Sequence, residues 1–221
     1  MIITELYKRI LTSVILLPVI VFLISADKSY FNFLLLGVLL VSSYEWFKLN
    51  KKKFSLVNFL GILVIFFSLV SAYFLRGNNS ENILFILWII FICFFSDVGG
   101  YLIGTIIGGI KLTKISPNKT LSGSIGSFVF SIFPILIISF LLKKINLEID
   151  FYNISSKSIF LSLFFSLVCQ IGDLIISYFK RLNKVKDTGK ILPGHGGLLD
   201  RIDGLIFVLL FAGILKLLKF I

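Results

Sequence analysis

Four carboxylates stand where an otherwise apolar chain has least reason to hold them. Asp97 and Asp173 fall inside long hydrophobic runs, and Asp200 and Asp203 stand three residues apart at the edge of the last run. Ionised groups are costly in a bilayer, so acids in such positions mark a candidate site. If 158–180 is helical, Asp173, Ser177 and Lys180 fall at i, i+4 and i+7 and share one face. Asp200 and Asp203, at the start of a helix, also share a face and are spaced to hold one divalent cation together with Asp173. Oxygen-only donors, without Cys or paired His, point to Mg²⁺ or a similar hard ion. The structural alternative is a buried Asp–Lys pair that locks two helices.

Between these acids runs the segment 177–203, SYFKRLNKVKDTGKILPGHGGLLDRID. A merely solvated loop has no need of Pro193-Gly194-His195-Gly196-Gly197. Glycine runs let backbone N–H groups approach an anion, and Lys180, Arg181, Lys186 and Arg201 supply positive charge around it. The combination points to phosphoryl or nucleotidyl chemistry at a membrane surface. His195 alone reads equally as a loop histidine and as a functional one. A second polar patch, Ser116 to Gly123, joins two apolar runs; its hydroxyls and Lys119 lie just before a helix start, where phosphates bind. Structurally, the same residues read as a Ser116-Pro117 turn with Ser122 as an N-cap. The glycines at 100, 104 and 108 repeat every four residues, a spacing that favours close helix packing over ligand contact.

The elements that position these residues follow from composition. The chain has 221 residues, 57% hydrophobic and 15% charged, with a mean hydropathy of +1.03, which describes an all-α polytopic membrane protein and not a soluble surface. A crossing needs roughly 20 apolar residues. Runs at about 10–25, 30–47, 54–75, 82–110, 121–142, 158–179 and 204–220 give seven spans, or eight if the fourth counts twice. That fourth run is long, carries Asp97 and is followed by Gly99, Gly100, Gly104, Gly108 and Gly109, so it reads as one broken helix or two short ones. With the N-terminus inside, 15 Lys and Arg fall on the cytoplasmic side and 7 on the other. This asymmetry favours a single crossing there and a polar cleft facing the cytoplasm. A net charge of +11 is then topological, set beside anionic lipid, and implies no nucleic-acid partner. Cys93 and Cys169 lie in apolar runs and read as buried thiols. Pro18 interrupts the first run without a cleavage pattern after it. The whole of 1–221 reads as one integral-membrane domain: N-terminal spans in 1–95, the motif region in 96–204 and a last span in 205–221.

Residues 177–203 resemble, position by position, the signature of the phosphatidate cytidylyltransferases, also called CDP-diacylglycerol synthases. The matching residues are Ser177, Phe179, Lys180-Arg181, Lys186-Asp187, Gly189, Pro193, His195-Gly196-Gly197 and Asp200-Arg201-Ile202-Asp203. Gly172-Asp173-Leu174, Ser116-Pro117-x-Lys119-Thr120, and Asp97 with Tyr101 and Gly104 are similar to further motifs of the family, in the same order. Two positions depart: Ser122 and Ile176 stand where relatives commonly have glutamate. The resemblance implies condensation of CTP with phosphatidate to CDP-diacylglycerol and pyrophosphate, in a bacterial-type inner membrane with the site facing the cytoplasm. It implies catalytic roles for Lys180, Arg181, Lys186, Asp187, His195 and Arg201. Substrate contacts fall to Asp97, Ser116, Lys119, Thr120, Ser177, Gly196 and Gly197, and Mg²⁺ ligation to Asp173, Asp200 and Asp203. A second cation and a homodimer stay open. Asp200-x-x-Asp203-Gly204 also opens the CDP-alcohol phosphatidyltransferase motif, but Phe207-Val208 replace its Ala-Arg and no acid follows Asp203. A transporter with Asp97 and Asp173 as ion sites is the non-enzyme alternative.

Overall fold

A computed structural model describes residues 14–16, 18–49, 56–113, 115–147, 149, 152–192, 194 and 196–221. Among them the named elements are all helices: α1 (Lys28–Leu49), α2 (Leu56–Arg76), α3 (Ser80–Ile106), α4 (Leu121–Ser131), α5 (Phe133–Lys144), α6 (Ser156–Leu182) and α7 (Leu199–Leu217). Five stretches are long and apolar enough to cross a membrane: α1, α2, α3, α4 continued by α5, and α6. Their outer faces are apolar, with Phe33 at 73%, Leu56 at 72% and Ile106 at 77% exposure, a surface suited to lipid and not to water. Part of the expected 10–25 span lies outside the described residues; 18–25 is helical. α7 fills the place of the expected 204–220 span, but begins earlier and carries Asp200, Arg201 and Asp203 in its first two turns.

The fourth run forms one unbroken helix. Nothing between Ser80 and Ile106 removes a backbone donor, so α3 continues through Gly99, Gly100 and Gly104. It ends where Gly108 and Gly109 adopt φ of 64° and 104°, the left-handed backbone that commonly closes a helix. Close packing holds for two of the three spaced glycines. A Cβ on Gly100 would meet Ser127 Oγ, and one on Gly104 would lie 3.0 Å from Thr120 Oγ1, both on or capping α4. Gly108 packs on nothing within 4 Å, so its reason is the turn. On the α4 side, a Cβ on Gly126 would sit 2.6 Å from the Gly99 carbonyl. These backbones touch because neither helix places a side chain between them.

The fifth run, expected as one helix, is two. α4 and α5 meet at Ile132, with Pro134 in the first turn of α5, where its missing N–H is not needed. α3 lies at the centre: Trp88, Ile89 and Ile92 are fully buried, and the Trp88 ring meets that of Phe165 from α6. Cys93 and Cys169 are buried free thiols, as expected.

Helix directions bring the C-terminal ends of α1, α3 and α6 and the N-terminal ends of α4 and α7 to one end of the bundle. The contacts fix this: Trp46 rings against Phe179, Ser122 donates to the Gly108 carbonyl, and Glu45 accepts from Leu199 N. At the opposite end, Arg76 donates to the carbonyls of Ile24, Ala26 and Gly77. There too the Tyr152 hydroxyl donates to the Glu81 carbonyl, and burial holds the phenol well above its ordinary pKa.

Candidate active site

The turn of α6 nearest the polar end presents the three residues expected on one face. Ser177 Oγ donates to Asp173 Oδ1 at 3.1 Å. Lys180 does not pair with Asp173; its Nζ lies 2.9 Å from Asp200 Oδ1 and 3.9 Å from Asp203 Oδ2, on the first turns of α7. The partner of Asp173 is Lys119. That lysine is delivered by a tight turn in which Lys119 N donates to the Ser116 carbonyl at 3.0 Å with Pro117 second, the position proline presets. Thr120, and not Ser122, caps α4, its Oγ1 accepting from Gly123 N at 3.1 Å.

Asp97 projects from α3 within Coulombic reach of Asp173, Lys119 and Arg201. Asp203 feels the charges of Asp173, Lys180 and Asp97. Asp97, Lys119, Asp173, Ser177, Lys180, Asp200, Arg201 and Asp203 therefore form one cluster in which acids and bases alternate. Among the described residues, no three carboxylate, histidine or cysteine side chains converge closely enough to hold a metal ion; lysines do the neutralising. The donors fit a hard cation by chemistry, being all oxygen. They are not equally available. Asp200 Oδ2 already accepts from Thr188 N at 2.8 Å and Gly197 N at 3.0 Å, while its Oδ1 holds Lys180. Among the described residues, Asp203 accepts from its neighbour Gly204 N at 2.9 Å, besides the longer approach of Lys180.

Arg181, Lys186 and Asp187 are exposed at the rim, and Arg181 donates to the Val185 carbonyl. His195, with Pro193, lies outside the described residues. Leu192 and Gly196 exchange backbone hydrogen bonds of 2.9 and 3.1 Å, with Gly194 and Gly196 at φ of 75° and 85°. Thr120 spends its hydroxyl on the helix cap, and the Ser116 carbonyl closes the Lys119 turn.

Three features escaped the sequence reading, two of them polar. Ser124 Oγ donates to Gln170 Oε1 at 2.6 Å, Gln170 Nε2 to Ser166 Oγ at 3.3 Å, and Ser166 and Ser96 hydroxyls lie 2.8 Å apart. This chain ties α3, α4 and α6 together one turn from Asp97 and Asp173, satisfying groups that lipid could not. Glu45, at 1% exposure, reaches the 188–199 segment from α1. The signal for it was in the sequence: α1 holds no other acid. Beyond the α6–α7 pair, an apolar cleft opens beside Trp46 and Phe179, with Leu60, Val64, Ile176 and Phe207 along its walls.

Comparison with known proteins gives the same direction. The model of the cytidylyltransferase family matches residues 7–82 and 57–218. The chain is 33% identical over 204 residues to the phosphatidate cytidylyltransferase of Rickettsia bellii, covering 92% of this chain and 87% of that one. It is 38% identical over 165 residues to the phosphatidate cytidylyltransferase of Staphylococcus haemolyticus, covering 73% and 60%. With the Staphylococcus saprophyticus protein of that name it shares 36% identity over 187 residues, covering 82% and 69%. The match runs through both the helical frame and the charged cluster, and the chain belongs to the cytidylyltransferase family.

Proposed function

We propose that this chain is a phosphatidate cytidylyltransferase, condensing CTP with phosphatidate to give CDP-diacylglycerol and pyrophosphate. The observation that carries the reading is the convergence of Lys119, Lys180 and Arg201 with Asp97, Asp173 and Asp203 at one end of a membrane-sized helical bundle. One substrate is lipid and the other aqueous, so the reaction needs a charged site at an interface. The relatives named for this reaction support it.

In the transfer, a phosphate oxygen of phosphatidate attacks the α-phosphorus of CTP, a P–O bond forms, and the bond to the β-phosphate breaks as pyrophosphate leaves. The nucleophile is already anionic, so no strong base is required. What the site must supply is compensation for two polyanions and for charge building on the leaving group. Lys119, Lys180 and Arg201 give three cations, with Arg181 and Lys186 at the rim to meet incoming triphosphate. Asp187, His195, Ser116, Thr120, Ser177, Gly196 and Gly197 complete the proposed contacts. Mg²⁺ would be held by Asp173 and Asp203, whose oxygens are less committed than those of Asp200, with Asp97 close by. When bound, the ion would offset phosphate charge and orient the triphosphate. Asp200 then serves chiefly to hold Lys180 and the glycine segment in place. The apolar cleft beside Phe179 is suited to an acyl chain.

The same reading has seven crossings in a bacterial inner membrane, with the N-terminus and the charged cluster facing the cytoplasm. The test is an assay of purified protein in detergent with CTP, phosphatidate and Mg²⁺, repeated on folded Asp173→Asn and Asp203→Asn. CDP-diacylglycerol should form, and both variants should lose turnover or demand more Mg²⁺. Unchanged turnover and Mg²⁺ dependence in both would remove the carboxylate site.

A further inference from the structure

α7 starts on a residue that cannot cap it. Leu198 occupies the N-cap position, has no side-chain acceptor, and already has helical φ and ψ of −64° and −41°. The first N–H groups of a helix need acceptors and carry its positive end. Here the acceptor arrives from α1. Glu45 Oε1 accepts from Leu198 N at 3.1 Å, and Oε2 accepts from Leu199 N at 2.8 Å and from Thr188 Oγ1 at 3.1 Å. Among the described residues no lysine or arginine pairs with Glu45, and there a carboxylate at 1% exposure is held by these three donors.

Two glycines of the 177–203 signature find their reason in the same contact. A Cβ on Gly197 would lie 2.6 Å from Glu45 Oε2. The three atoms nearest to one on Gly189 all belong to Glu45, with Cδ at 2.9 Å and Oε1 closer still. Gly189 has no left-handed φ, so its backbone would accept alanine, and what opposes it is the Glu45 carboxylate held in that space. The segment that closes on Glu45 leads directly into Asp200, Arg201 and Asp203.

We propose that Glu45 is a positioning residue of the transferase site, an imported cap that seats Thr188, Gly189 and Gly197 and sets the orientation of the first turn of α7. It touches no substrate. The inference rests on the function proposed above, and its structural arm is readable without that function. Glu45→Gln keeps the length but leaves one oxygen where there were two and turns an NH₂ toward donors. Hydrogen exchange and kinetics are measured on the monodisperse protein. The Leu198 and Leu199 amides should exchange about tenfold or more faster, with α3 and α4 unchanged, and kcat should fall by about tenfold or more.

Gly189→Ala supplies the independent check, since it crowds the carboxylate without removing it. Alone it should lower kcat by a similar factor; added to Glu45→Ala it should cost nothing further, because the obstacle is gone. Wild-type kcat and protection in folded Glu45→Gln would overturn the proposal, as would independent effects of Glu45→Ala and Gly189→Ala. Absence of transferase activity in the wild-type chain would instead overturn the proposed function, with the amide exchange still testing the cap.

Discussion

Replacing Asp200 with asparagine removes one charge at nearly constant shape, and the structure says what that charge holds. Oδ1 takes the Lys180 ammonium at 2.9 Å, while Oδ2 takes the amides of Thr188 and Gly197. The Lys180 and Asp200 side chains are only 10% and 7% exposed, so water screens the pair little. Breaking a buried pair costs about 3–5 kcal/mol, because the remaining charge stays buried. Asp203 at 3.9 Å from Lys180 offsets part of this, which favours the lower end. Weakening two charge-assisted amide bonds adds back about 1 kcal/mol. A loss of about 3–4 kcal/mol corresponds to a fall on the order of 10 °C in the temperature at which detergent-solubilised protein loses its monodisperse peak. Lys180→Met in the same background completes a double-mutant cycle. The double variant should be less destabilised than the sum of the singles by about 2 kcal/mol. Additivity within about 0.5 kcal/mol would refute the pairing of Lys180 with Asp200 and the positioning role built on it.

Arg201→Lys should lower turnover by about tenfold or more while leaving the thermal transition in place, because lysine cannot grip phosphate through two parallel N–H bonds; kinetics beside a melting curve checks it. Gly126→Ala places a Cβ 2.5 Å from Ile103 Cβ and 2.6 Å from the Gly99 carbonyl, and should destabilise the α3–α4 contact by about 1–3 kcal/mol in the same thermal assay. A single cysteine at Lys184, after replacement of Cys93 and Cys169 by alanine, should label only from the cytoplasmic side of sealed cells; labelling from outside would invert the proposed topology.

What the sequence made legible was periodic or costly. Apolar runs separated by charge gave most helices to within a few residues, since 30–47 became Lys28–Leu49 and 158–179 became Ser156–Leu182. The acids at 97, 173, 200 and 203 pointed to the charged cluster because each is expensive in an apolar segment. The break at Ile132 was not visible, because a proline in a first turn and a proline inside a helix look alike along the chain. Partner choice was not visible either: Asp173 and Lys180 share a face, yet Lys119 reaches the first and Asp200 the second. Spacing tells which side chains leave a helix together, not what arrives from elsewhere. Glu45 lay in a segment that resembled the family only in hydrophobic character, and its donors stand more than 140 residues away along the chain. Its being the one acid in α1 was the available sign.

The account's central claim is nucleotidyl transfer from CTP to a lipid phosphate by this charged cluster. The most direct measurement uses purified protein in detergent with Mg²⁺ and phosphatidate, supplied in parallel with CTP labelled at the α- or the γ-phosphate. Attack at the α-phosphorus predicts α-label in the lipid phase as CDP-diacylglycerol and γ-label in aqueous pyrophosphate, in equal amounts. Label from the γ-phosphate in the lipid, or no transfer from either position by folded protein, would contradict it.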